Sequence, residues 1–111
     1  MAVLTVEVFA LAPDATTPLD QNQQYAVLTR FTDAMTAPAP FTRCGAVVVM
    51  SSEVDTYDSG ALVNALCVAA SGEEATDALA ARLATAMTAD TEFFARWKLA
   101  AGRTSVLCSD N

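Results

Sequence analysis

The sequence predicts an α+β fold in which one antiparallel four-stranded sheet carries two helices on a single face. Three observations lead to it. Four segments are β-branched, aromatic or continuously apolar and are short enough to be strands. Two longer segments repeat their apolar residues at helical spacing. These six pieces alternate as β-α-β-β-α-β, with polar or proline-containing stretches between them.

The first strand is Val3 to Leu11, VLTVEVFAL, ended by Pro13 and Asp14. The turn-rich segment APDATTPLD follows. A helix is predicted from about Pro18 to Ala37, with Leu28, Phe31 and Met35 on one stripe and Tyr25 and Val27 at its edges. Asp20 or Thr17 is the candidate cap. The stretch APAP at 37–40 stops the helix, because proline disfavours helix in the residue before it.

The second strand is Cys44 to Met50, CGAVVVM, and the third is Ala61 to Ala69, ALVNALCVA. The polar SSEVDTYDSG between them ends in a turn, and the whole reads as a long hairpin. Ser71 and Glu74 form a capping box for the second helix, with Glu73, Glu74 and Asp77 at the positive end of its dipole. Leu79, Leu83 and Met87 repeat every four residues, backed by Ala75, Ala78 and Ala86. Asp90 is placed to cap a further helical piece, TEFFARWKLA, ended by Gly102. Thr104 to Cys108 is the last strand, and Ser109 to Asn111 form a tail. This order is the ferredoxin-like βαββαβ arrangement, and 111 residues favour one domain spanning 1–111.

Both middle strands are apolar on both faces. In the third, Leu62, Asn64, Leu66 and Val68 share one face, and Val63, Ala65, Cys67 and Ala69 the other. Two helices cover only one face, and leaving such side chains exposed forgoes roughly 1.5–3 kcal/mol each. A homodimer, sheet against sheet, is therefore expected.

Composition excludes several functions. With 53% apolar and 17% charged residues the chain is far from the disordered class. A net charge of −7, with one lysine and five arginines, argues against nucleic acid or an anionic membrane as partner. The acids are scattered, so mimicry of nucleic acid is the weaker reading of the acidity. No segment approaches the roughly 20 apolar residues of a membrane span, and residues 1–12 lack the features of a signal peptide. Three cysteines among apolar neighbours read as reduced, buried thiols, and the expected location is the cytoplasm. There is no histidine, which removes Ser-His-Asp and Cys-His nucleophile systems and the usual ligand of zinc or iron. Glu53, Asp55 and Asp58 lack the spacing of a calcium loop. No glycine-rich phosphate loop occurs, and no cofactor is expected.

Asn64 is the sharpest candidate. A buried amide without partners costs roughly 1–3 kcal/mol. It is a satisfied core or interface amide, the polar handle of a pocket, or a residue exposed at a sheet edge. A pocket beside Asn64 would be lined by Met35, Leu66 and Trp97. Trp97, with Phe93 and Phe94, reads as core or as a lid over an aromatic ligand. Arg82, beside the apolar stripe of its helix, is a solvated cation or a donor to an anionic ligand.

The run VNALCVAASGEEATDALAARL, followed by ADTEFFARWKLAAG and a closing strand, resembles the antibiotic biosynthesis monooxygenase group of dimeric α/β-barrel proteins. Members that oxidise anthrones carry an Asn within a V-N motif of the third strand, and Val63-Asn64 matches it. The Trp that follows in them is replaced here by Val68, Ala69 and Ala70. The resemblance implies a dimer and a cofactor-independent oxygenase acting on an aromatic or polyketide-like compound, with Asn64 as the catalytic donor to a developing oxyanion. Beside it stands a reading from composition alone: a non-enzymatic acidic dimer working by contact with another protein, as an assembly subunit or an inhibitor.

Overall fold

The computed structural model describes residues 1–13, 17–36 and 47–109. Its elements run β1 (Ala2–Leu11), α1 (Gln21–Thr36), β2 (Val48–Tyr57), β3 (Gly60–Ala69), α2 (Gly72–Ala89) and β4 (Lys98–Ser109). The strands form one antiparallel sheet in the order β2-β3-β1-β4. That order, with helices after β1 and β3, is the expected ferredoxin-like fold. Among the described residues no helix is long and apolar enough to cross a membrane.

Each helix begins where its side chains can replace missing backbone partners. At α1, Asp20 Oδ1 accepts from the Gln23 amide at 2.7 Å, and Gln23 Oε1 accepts from the Asp20 amide at 2.9 Å. Two orphan donors are thus satisfied reciprocally. At α2, Ser71 Oγ accepts from the Glu74 amide at 3.2 Å. The buried stripe of α1 is Val27, Phe31 and Met35, one position away from the expected Leu28. Tyr25 is exposed.

The core lies between the helices and one face of the sheet. Leu4, Val6, Val8 and Ala10 of β1, and Ala61, Val63, Ala65, Cys67 and Ala69 of β3, are all buried there. Against them pack the α1 stripe, Ala75, Leu79 and Leu83 of α2, and Phe94. Phe31 stacks on Phe94 at 5.4 Å, and Phe94 meets Phe93 and Trp97 edge-on at 4.8 and 5.1 Å. The cluster closes the space between the helices and the start of β4. Arg30 lies 5.2 Å from the Phe93 ring centre and pairs with Asp90 at 2.5 Å.

Three boundaries differ from expectation. β2 runs through the polar stretch to Tyr57 rather than ending at Met50. Its period of two places Ser52, Val54 and Thr56 on the helix side and Ser51, Glu53 and Asp55 on the other, which suits an edge strand. Thr56 Oγ1 donates to Gln24 Oε1 of α1 at 3.4 Å. The expected strand start at Cys44 and the APAP helix stop lie outside the described residues, as does the Asp14 strand end. The segment after α2 is a run of turns, not a helix. Arg96 has φ 63°, outside the helical region, and the Asp90 side chain and carbonyl take up the Phe93 and Phe94 amides. β4 consequently starts at Lys98, and Gly102 lies inside the strand instead of ending a helix.

Gly60 closes the β2–β3 hairpin against β1. Its φ is +155°, and a Cβ there would lie 2.0 Å from the Ala10 carbonyl oxygen. Backbone strain and collision together set the expectation for Gly60→Ala: a loss of about 2 kcal/mol or more in urea unfolding. Retention of wild-type stability would refute this account of the hairpin.

Candidate functional site

The alternation of β3 decides where Asn64 points. Residues 61, 63, 65, 67 and 69 are buried under the helices, so Leu62, Asn64, Leu66 and Val68 stand on the opposite, open face. They are partly exposed. Register then chooses the neighbours. Asn64 lies opposite Glu7 on β1 and opposite Glu53 on β2. Directly opposed side chains have Cβ atoms about 4.5–5.5 Å apart. The amide is thus flanked by a carboxylate on each side, in the middle row of the face.

The row continues onto β4 through a bulge. Val8 pairs with Ala101 and Val6 with Thr104, so Gly102 and Arg103 share the place opposite Glu7. A Cβ on Gly102 would come within 2.8 Å of the Glu7 Cβ and 3.0 Å of the Phe9 ring, so the close approach there needs glycine. The Arg103 amide donates to Glu7 Oε2 at 3.4 Å. Across the face the order is Glu53, Asn64, Glu7, Arg103. Apolar residues flank this row: Leu62 and Phe9 on one side, Leu66, Val68 and Val3 on the other.

Among the described residues the Asn64 amide has no hydrogen-bond partner, and no buried side-chain nitrogen or oxygen is left unsatisfied. Asn64 is thus a half-exposed amide on the open face of a central strand, not at a sheet edge. Its surroundings also set its chemistry. Each carboxylate opposes an anion about 5 Å away by roughly 1–3 kcal/mol. Two of them disfavour a developing oxyanion and favour a donor or cation.

The five residues expected to share one cleft do not meet. Asn64 and Leu66 lie on the open face. Met35 is buried in the core from α1, Trp97 packs on the core just before β4, and Arg82 is on α2. The sheet itself stands between the two groups, so the expected pocket beside Asn64, lined by Met35, Leu66 and Trp97, is not formed. The period of two in β3 is the reason. Arg82 Nη1 donates to the Ala34 carbonyl at 3.1 Å, tying α2 to the last turn of α1, where a cation suits the helix dipole.

Two surface grooves lie on the helix side. One of about 480 Å³ is lined by Met87, Phe94, Arg96, Trp97 and Leu99. The other, about 470 Å³, runs past Val47 and the acidic first turns of α2, with Glu73, Glu74 and Asp77. No three Cys, Asp or Glu residues gather as metal ligands among the described residues. Glu7 and Arg103 are the site residues that sequence reasoning missed. The visible signal for Glu7 is a lone carboxylate in an apolar strand; its neighbours depend on register.

Cys67 faces the core and is fully buried, as expected of the thiols, whereas Cys108 is exposed, because it lies opposite the outward Val3 near the end of the edge strand β4. Burial pushes the Cys67 thiol above its usual 9.0, and the Arg82 charge opposes part of that rise. Native protein should therefore spare Cys67 from iodoacetamide until it unfolds; alkylation of Cys67 as fast as in urea would refute the burial. Because the folded thiol keeps its proton longer, its share of stability is complete below the usual value of the unfolded thiol and is lost as pH rises through the folded pKa. Urea titrations from pH 8 upward should show that decline reduced in Cys67→Ala. Compared with protein-family models, with curated proteins and with solved structures, the chain has no match in any of the three.

Proposed function

We propose that the chain acts as an acidic homodimer, closed sheet against sheet, that works by contact with another protein and not by chemistry of its own. The observation that carries this reading is the open face. Val3, Phe9, Leu62, Leu66 and Val68 stand on its two central strands, and among the described residues no helix lies over them. On the helix side of β3, the described residues Val63, Ala65 and Cys67 are buried in the core. Strands of ten residues, four abreast, make a face on the order of 600 Å² before side-chain relief is counted. A standard interface buries about 800 Å² per partner, so one such face is of the right order.

Closing the two faces leaves the helix side outward. Its groove along Glu73, Glu74 and Asp77 suits a basic segment of a partner protein. The exposed and the buried free thiol both fit the reducing cytoplasm, which is the proposed location. The direct measurement is sedimentation at micromolar concentration. Wild type is expected as a dimer, and Phe9→Lys or Leu66→Arg as a monomer with unchanged far-ultraviolet dichroism. A wild-type monomer would overturn the reading.

One observation favours a second reading, the binding of a small aromatic or polyketide-like compound with monooxygenase-like chemistry. The groove of about 480 Å³ runs beside the half-buried Trp97. There the indole and Phe94 offer stacking surfaces, and Arg96 offers a cation. Trp97 is the chain's single tryptophan, so a saturable change in its fluorescence on titration with anthrones would support this alternative. Oxygen uptake by the same mixture would report oxygenase activity. No response to either would remove it.

A further inference from the structure

We infer that the second copy of this chain seats with its two-fold axis parallel to the strands, so that Glu7 faces the partner's Asn64 and Glu53 faces the partner's Arg103. The inference rests on the sheet-to-sheet homodimer proposed above and specifies its geometry.

Two like sheets packed face to face by a two-fold axis have two simple arrangements. The axis lies in the plane between them, running either along the strands or across them. An axis along the strands, midway between β3 and β1, exchanges left and right. β2 then lies over the partner's β4, and β3 over the partner's β1, at the same row. An axis across the strands, through the middle row, lays each strand over its own copy and inverts the rows.

The middle row discriminates between them. It reads Glu53, Asn64, Glu7, Arg103 across the sheet. With the axis across the strands every member meets its like: Glu53 on Glu53, Glu7 on Glu7, Arg103 on Arg103. With the axis along the strands each meets a complement. Glu53 faces a guanidinium, and Glu7 faces an amide able to donate to it. Among the described residues Glu53 and Arg103 form no ion pair within the chain. In the outer rows Leu62 falls over Phe9, Val68 over Val3, Leu66 over Thr5, and Tyr57 over Lys98. Aligned sheets cross at about 30°, which shifts an edge strand by about one residue. Glu53 and Asp55 both stay within reach of Arg103. Charged pairs of this kind set orientation more than affinity.

Sedimentation of four proteins tests the arrangement: wild type, Glu53→Arg, Arg103→Glu, and the double variant. Both positions are exposed, so folding should survive, and far-ultraviolet dichroism checks it. Each single variant places like charges face to face at two symmetric points and should weaken association tenfold or more. The double variant restores both pairs and should return to within about threefold of wild type. Single variants that associate like wild type, or a double variant no better than the singles, would overturn this axis while leaving the dimer itself standing. A monomeric wild type would overturn the dimer, and the axis with it.

Discussion

A four-stranded sheet has two faces, and the two helices among the described residues cover one. That constraint organises the rest of the molecule. β1 and β3, the central strands, carry apolar residues on both sides. On one side Leu4, Val6, Val8, Val63 and Cys67 are fully enclosed by Val27, Phe31, Leu79 and Leu83. On the other, among the described residues, Phe9, Leu62 and Leu66 have the cover of their neighbours in the sheet and no helix. The small residues Ala61, Ala65 and Ala69 belong to the enclosed side, where close approach of the helices requires them. An edge strand escapes the demand for two apolar faces, and β2 accordingly presents Ser51, Glu53 and Asp55 on the open face.

The polar row depends on that same geometry. Asn64 is held among carboxylates by integer register, not by any local motif. Shifting β3 by one residue against β1 would turn Asn64 into the core and bring a core residue out. The bulge on β4 adds the cation. Two residues, Gly102 and Arg103, occupy one place, and only a residue without Cβ fits beside Glu7 and Phe9. A glycine thus sets where an arginine meets a face otherwise charged by acids.

Much of the fold was legible in the sequence because periodicity reports burial directly. The helix-side residues of β3 and the Ser71 cap of α2 follow from alternation and spacing alone. β2 misled because an edge strand needs no continuous apolar run; its inward Ser52, Val54 and Thr56 are a weak signal. The segment before β4 misled because Phe93, Phe94 and Trp97 have helical spacing, yet they pack as an aromatic cluster on a run of turns. For the site, the face of Asn64 could be narrowed to two choices by alternation, but nothing local selects one. The partners Glu7, Glu53 and Arg103 are far apart in the chain, and pairing brings them together only once the strand order is known.

Strand order also explains how an acidic chain distributes its few cations. Arg30 is engaged with Asp90, and Arg82 is engaged with the end of α1. Lys98 pairs with the outward Leu11, and Arg103 shares with Gly102 the bulge opposite the outward Glu7, so both enter the sheet on its open face. The acidic first turn of α2, by contrast, stands on the helix side, fixed there by the cap that starts the helix. The open face therefore carries both signs, and the groove along α2 is lined by acids. A surface with both signs in a defined order can be complementary to itself, whereas one lined by a single sign repels its own copy. The dimer proposed above therefore uses the sheet face, and the groove along α2 lies outside it.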